Sequence, residues 1–155
     1  MAAASQFLEN KVVDHVFRAT AYTMPGTIYI SLQTTACVYT DTGTTLTSGS
    51  GGTGVEVTGG SYARTAYNPS ATSDWEATQG GVSGASSGTT GLTSNHTTIT
   101  FPTATASWGT VTGIAICDAL TNGNLLYFGT LSASKTVSSG DVFQFSANAL
   151  SITLS

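Results

Sequence analysis

The 155-residue sequence predicts a mainly β fold: a β-sandwich, with jelly-roll connections as one way of wiring it, preceded by one N-terminal amphipathic α-helix. Three observations carry that expectation. Charged residues make up only 8% of the chain, against a usual share of about 25%, and Thr (29), Ser (19) and Gly (18) stand in their place. Thr is β-branched and suits a pleated surface, while Gly and Ser supply turns. Past the first twenty residues, the apolar spacing switches from a period near 3.6 to a period of 2. A single domain spanning 1–155 is expected, since a chain of this length buries roughly 68–70% of its unfolded surface and needs no staples to hold a core.

The helix is predicted over 5–20. Leu8, Val12 and Val16 fall four apart, and Val13 and Phe17 widen the stripe. Ser5 can accept an orphan backbone N–H at the start, and Asp14 and Arg18 are spaced to pair on the wet face. Met24-Pro25-Gly26 ends any continuation. The stripe of Leu8, Val12, Val16 and Phe17 must be buried, either on its own sandwich or on a neighbouring molecule.

The sandwich is expected over 27–155. Thr27–Gln33 alternates, with Ile28, Ile30 and Leu32 on the core face. A Thr/Gly/Ser run near 41–54 reads as a loop. Short strands are expected at Val55–Thr58 and Tyr62–Tyr67, the latter after the Gly59-Gly60 turn. The stretch 68–95 is poor in aliphatic residues and reads as a second long loop pinned by Trp75. Strands return at Thr97–Phe101, Val111–Cys117, Leu125–Leu131, Val142–Ser146 and Leu150–Leu154. Asn122-Gly123 between two apolar runs is a hairpin signal, because both residues tolerate positive φ. Phe101, Trp108, Val111, Ile114 and Ile116 are the candidate core of this half.

Residues that carry chemistry are few and dispersed. The four basic residues, Lys11, Arg18, Arg64 and Lys135, form no patch of the kind that phosphate neutralisation or an anionic membrane surface demands. No nucleic-acid or membrane partner is therefore expected, and no stretch approaches the roughly 20 apolar residues of a membrane span. Only His15 and His96 could serve as bases, no GxSxG elbow is present, and the eight acids are scattered. Asp74 and Glu76 flank Trp75, on which a sugar could stack, though a loop anchor is the plainer role. Neither histidine pairs nor an Asp-rich loop offer a metal site, and Cys37 and Cys117 read as free buried thiols. The expectation is a non-enzymatic protein without a cofactor. The opening MAAASQFLENKVV lacks a basic leader and a continuous apolar core, which predicts folding in a cytosol. Arg64, a lone cation in a strand, calls for an acid within the chain or on another subunit.

The run from Ile99 to Ile116, ITFPTATASWGTVTGIAI, resembles a signature of small bacteriophage virion proteins of the capsid decoration (cement) and tail fibre type. Gly123–Leu131, Val137–Phe143, the Gly59-Gly60-Ser61-Tyr62-Ala63-Arg64 element and the N-terminal helix leading into Thr27–Leu32 fit the same pattern. Ala115 and Cys117 are smaller than the pattern leads one to expect, and the loop over 77–94 is longer. The resemblance carries no catalytic residues. It implies a virion protein, assembled in the host cytoplasm, with a capsid decoration protein on the outer capsid surface as the first expectation and a tail fibre or receptor-binding protein as the second. Its partners would then be the major capsid protein and copies of itself, with Leu8, Val12, Val16, Phe17, Arg64 and Trp75 as candidate interface or packing residues.

Overall fold

The computed structural model describes residues 2–48, 52–69, 73–77 and 91–154. Strand β1 (Ala3–Ala4) leads directly into helix α1 (Gln6–Phe17). Ser5 joins them. Its extended backbone and its hydroxyl, which accepts from Leu8 N at 3.3 Å, cap the helix, while the same hydroxyl donates to the Leu125 carbonyl. The helix is shorter than the spacing predicts, because Ala19 takes a left-handed φ of 53° and the Arg18 and Thr20 amides both close onto the Asp14 carbonyl.

The main sheet has the order β1-β8-β7-β2-β3, built from β2 (Tyr29–Thr35), β3 (Val55–Glu56), β7 (Gly109–Cys117) and β8 (Leu125–Val137), with β4 (Thr65–Ala66) also pairing β2. All its ladders are antiparallel. The β7–β8 hairpin turns at Asn122-Gly123, with φ of 56° and 76°. Its register shifts twice, by one residue between Ile116 and Cys117 and more widely between Val111 and Gly113. Gly113 pairs Thr130 and Val111 pairs Lys135, so the four residues 131–134 face Thr112 alone. Two short pairs form the opposing layer: β5 (Leu92–Ser94) with β10 (Ser151–Thr153), and β6 (Ile99–Thr100) with β9 (Gln144–Phe145).

Between the layers lies the main core. Ile30, Leu32, Phe101, Trp108, Val111, Ile114 and Ile116 are all at most 4% exposed, and Phe143, Phe145, Leu150 and Ile152 close it from the second layer. Ile28 falls just outside β2 and packs against this core only partly buried. The Phe101, Phe143 and Phe145 rings meet edge-on, with centroids 5.2–6.4 Å apart.

The far face of the sheet is also covered, which corrects the loop expected near 41–54. That stretch contains helix α2 (Gly43–Ser48). Thr42 and Thr45 cap it reciprocally, each hydroxyl accepting from the other's amide at 2.9–3.1 Å. Leu46 then seats against Cys37, Ala115, Cys117 and Leu125 in a second apolar cluster. The small Ala115 and Cys117 side chains leave room for this layer. Strand bounds are tighter than expected around β3, β4, β6 and β9, and longer for β8. In the stretch 68–95, residues 70–72 and 78–90 lie outside the described residues. What is described there includes β5 and an antiparallel bridge from Trp75 to Asn95.

Candidate assembly surface

Two groups of side chains stand apart from an ordinary core: a buried charged clasp and an exposed apolar arm. The clasp grows from the Gly59-Gly60-Ser61 turn, where three successive residues have φ of 73°, 55° and 62°. A Cβ on Gly60 would sit 2.9 Å from the Trp108 indole nitrogen, which donates to the Gly60 carbonyl at 2.9 Å. Glycine there combines the left-handed backbone with room for the indole. Tyr62 follows, edge-on to Trp108 with centroids 5.3 Å apart and stacked parallel to Phe101. Its hydroxyl donates to Glu56 at 3.0 Å and accepts from Leu32 N at 2.9 Å. Burial, and after it the Glu56 charge, pushes the Tyr62 phenol well above its ordinary value.

Arg64 completes the clasp. Its side chain is 2% exposed and that of Glu56 is 6% exposed. Nε and Nη2 donate to the two Glu56 carboxylate oxygens at 2.8 and 2.7 Å, a two-point contact matched to the planar guanidinium. Nη1 donates to the Ala119 and Asn122 carbonyls, both at 2.9 Å, and Nη2 also reaches Thr47 Oγ1 and the Gly43 carbonyl. Burying two charges is unfavourable unless every donor finds a partner. Here the donors do, and one side chain ties β3, α2 and the β7–β8 turn together. The acid that Arg64 requires therefore lies within its own chain, so Arg64 is a packing residue and not an interface residue. Sequence reasoning left Glu56 unassigned as the partner; its place eight residues upstream across a turn gave no periodic signal.

Asp41 and Asn95 were missed for the same reason. The Asp41 carboxylate is buried and accepts from the Val38 and Gly54 amides at 2.8 and 3.1 Å. Asn95 is fully buried, donates to the Thr97 and Ser146 carbonyls and accepts from Leu150 N, each at 2.8 Å. Each replaces a regular ladder with side-chain bonds.

Of the two roles open to Trp75, interface or packing, the structure shows packing contacts. Its ring packs edge-on against Tyr67, centroids 5.2 Å apart, at the margin of the main core. Glu76, beside it, bonds His96 Nδ1 at 2.6 Å. His15 is exposed and its Nδ1 accepts from Tyr22 N at 3.2 Å. Among the described residues, no group of three or more His, Cys, Asp or Glu side chains could hold a metal ion, and no helix is long and apolar enough to cross a membrane. Cys37 and Cys117 are both free and buried, and burial pushes both thiols up, Cys117 to about 12.

Of the predicted stripe, the protein's own body covers only Leu8. Val12 is half-buried, whereas Val13, Val16 and Phe17 are 51%, 61% and 80% exposed. Residues 16–21 are all exposed, Met24 likewise, and Asp14 pairs Arg18 at 3.2 Å on the helix surface. The helix is held at its N-terminal end by Ser5 and Leu8, and by Phe7 edge-on to Tyr22 at 6.4 Å. Its C-terminal half forms an arm with an uncovered apolar side.

A search of curated proteins returns no match. A family model described as podophage GP4 fiber I protein gp80 matches residues 3–153, nearly the whole chain. The chain belongs to that family of bacteriophage virion structural proteins.

Proposed function

We propose that this protein is a fibre subunit of a bacteriophage virion, acting through binding energy alone as it packs against copies of itself and neighbouring virion proteins. The family match over residues 3–153 carries the reading. The uncovered arm of α1 supports it, since an isolated monomer gains nothing from holding Val16 and Phe17 in water. The dispersal of titratable groups supports a role without catalysis. A partner that binds only the assembled state stabilises it by mass action, and repetition multiplies individually weak contacts.

The alternative of a capsid decoration protein on the outer shell differs in location and copy number. Purified particles labelled with an antibody to this chain, with its amount measured against the major capsid protein, decide between them. Label confined to fibres at low copy number is the expected result. Label spread evenly over the shell would replace the fibre reading with the decoration reading.

A further inference from the structure

Each copy carries, besides the apolar arm, a groove that no described residue of its own chain fills. The groove lies between the bulged part of β8 and the 143–151 segment, with a volume of about 450 Å³, in the range of pockets that take a small ligand. Its lining is apolar at Ile114, Leu131, Phe143, Phe145 and Leu150, with Lys135 at its side. We infer that the α1 arm of one copy, led by Phe17, seats in this groove of a second copy, forming a head-to-tail contact. This inference deepens the fibre reading and rests on it for its biological setting.

Charge selects the occupant. Of the four basic side chains, Arg64 is buried in the clasp, and Lys11 and Arg18 belong to α1 itself. Lys135 is thus the one exposed Lys or Arg outside the arm among the described residues, and its Nζ stands 5.6 Å from the Phe143 ring centroid. The arm brings the C-terminal end of α1, which carries the negative pole of the helix dipole. Arg18 pairs Asp14 at 3.2 Å, so the two side chains together add no net charge at that pole. An aromatic knob at a negative helix end meets a groove floored by aromatic rings beside an ammonium. Knob and groove lie at different places on the chain, so the contact is heterologous. It leaves a free knob at one end of a dimer and a free groove at the other, which grows a filament or closes a ring.

The test is sedimentation velocity of the purified full chain over a wide concentration range, with variants at exposed positions. Wild-type protein is expected to self-associate reversibly. Phe17→Asp, which removes the knob, and Ala133→Trp, which fills the groove, are each expected to stay monomeric. Their equimolar mixture is expected to form a dimer and nothing larger, because each variant keeps the half that the other lacks. Ala149→Arg repeats the groove arm of the test in case Ala133→Trp perturbs the bulge, and thermal melts check that every variant is folded. Lys135→Glu should weaken association about two- to fivefold. A monomeric wild type overturns the proposal. So does a groove variant that dimerises alone while the mixture shows no pairing, which would indicate symmetric arm-to-arm contact. Absence of the chain from particles would remove the fibre reading and leave the association result standing.

Discussion

The clasp and the arm invert the usual arrangement of a soluble domain. At the clasp a charged pair is buried and every guanidinium donor is satisfied, whereas at the arm three large apolar side chains stand in water. The clasp works within one molecule: Arg64 and Glu56 join three segments distant in sequence, and Tyr62 and Trp108 complete the wall beside them. The arm contributes little to its own fold beyond Leu8 and the Ser5 cap. On the proposed reading, stability and association are therefore lodged in separate regions, and each should be alterable without the other.

The largest effects should come from the clasp. Trp108→Ala is expected to cost about 3–5 kcal/mol in a denaturant titration, because it opens a cavity and removes the indole bond to the Gly60 carbonyl, which keeps only its bond from Thr105 N. Arg64→Ala should cost a similar amount, about 3–5 kcal/mol, since Glu56 would be left buried and unpaired. Adding Glu56→Gln to that variant should restore part of the loss. A double variant no more stable than the single would mean that the carbonyl contacts of Arg64, and not its charge partner, dominate.

Next comes the response to pH. The Cys117 thiol has a folded value of about 12 against an ordinary 9.0. Below about 9 both states keep the proton and the stabilisation is fully present. Between the two values the unfolded chain loses its proton and the folded chain keeps it, so stability falls as pH rises. Cys37 acts in the same direction. Melting temperature should fall across that window, and Cys117→Ala should fall less steeply than the wild type. Parallel slopes would assign the alkaline loss to other groups.

The smallest effects belong to the arm. Phe17→Asp should change monomer stability by no more than about 0.5 kcal/mol while abolishing association. A large loss of monomer stability would show that the two regions are coupled. Asp14→Asn should cost about 0.3–0.5 kcal/mol or less, as the pair it breaks is exposed.

Much of the fold was legible because it rests on local signals. Ser5 caps α1, Asp14 reaches Arg18 one turn on, Ile30 and Leu32 alternate into the core, and Asn122-Gly123 turns a hairpin. Helix α2 was not legible. Its sequence, GTTLTS, has poor intrinsic helix propensity, and it is fixed by Thr–Thr capping and by Leu46 finding a cluster assembled from distant strands. The candidate surface was half legible. Periodicity reveals that Leu8, Val12, Val16 and Phe17 share a stripe. It cannot reveal that full burial stops at Leu8 and that Val16 and Phe17 lie beyond the body of the protein.

The bulge at 131–134 bears on a hazard common to chains of this composition. Thr-rich, charge-poor β proteins held at high local density are prone to cross-β aggregation, in which bare strand edges template one another. Beyond the two residues that β1 pairs, the β8 edge would be such a template. Four residues looping out opposite Thr112, followed by Lys135, break its flatness and place an ammonium on it. Copies packed side by side, as the proposed fibre role requires, would thereby be kept from zipping sheet to sheet, although the surface has few charges to hold them apart.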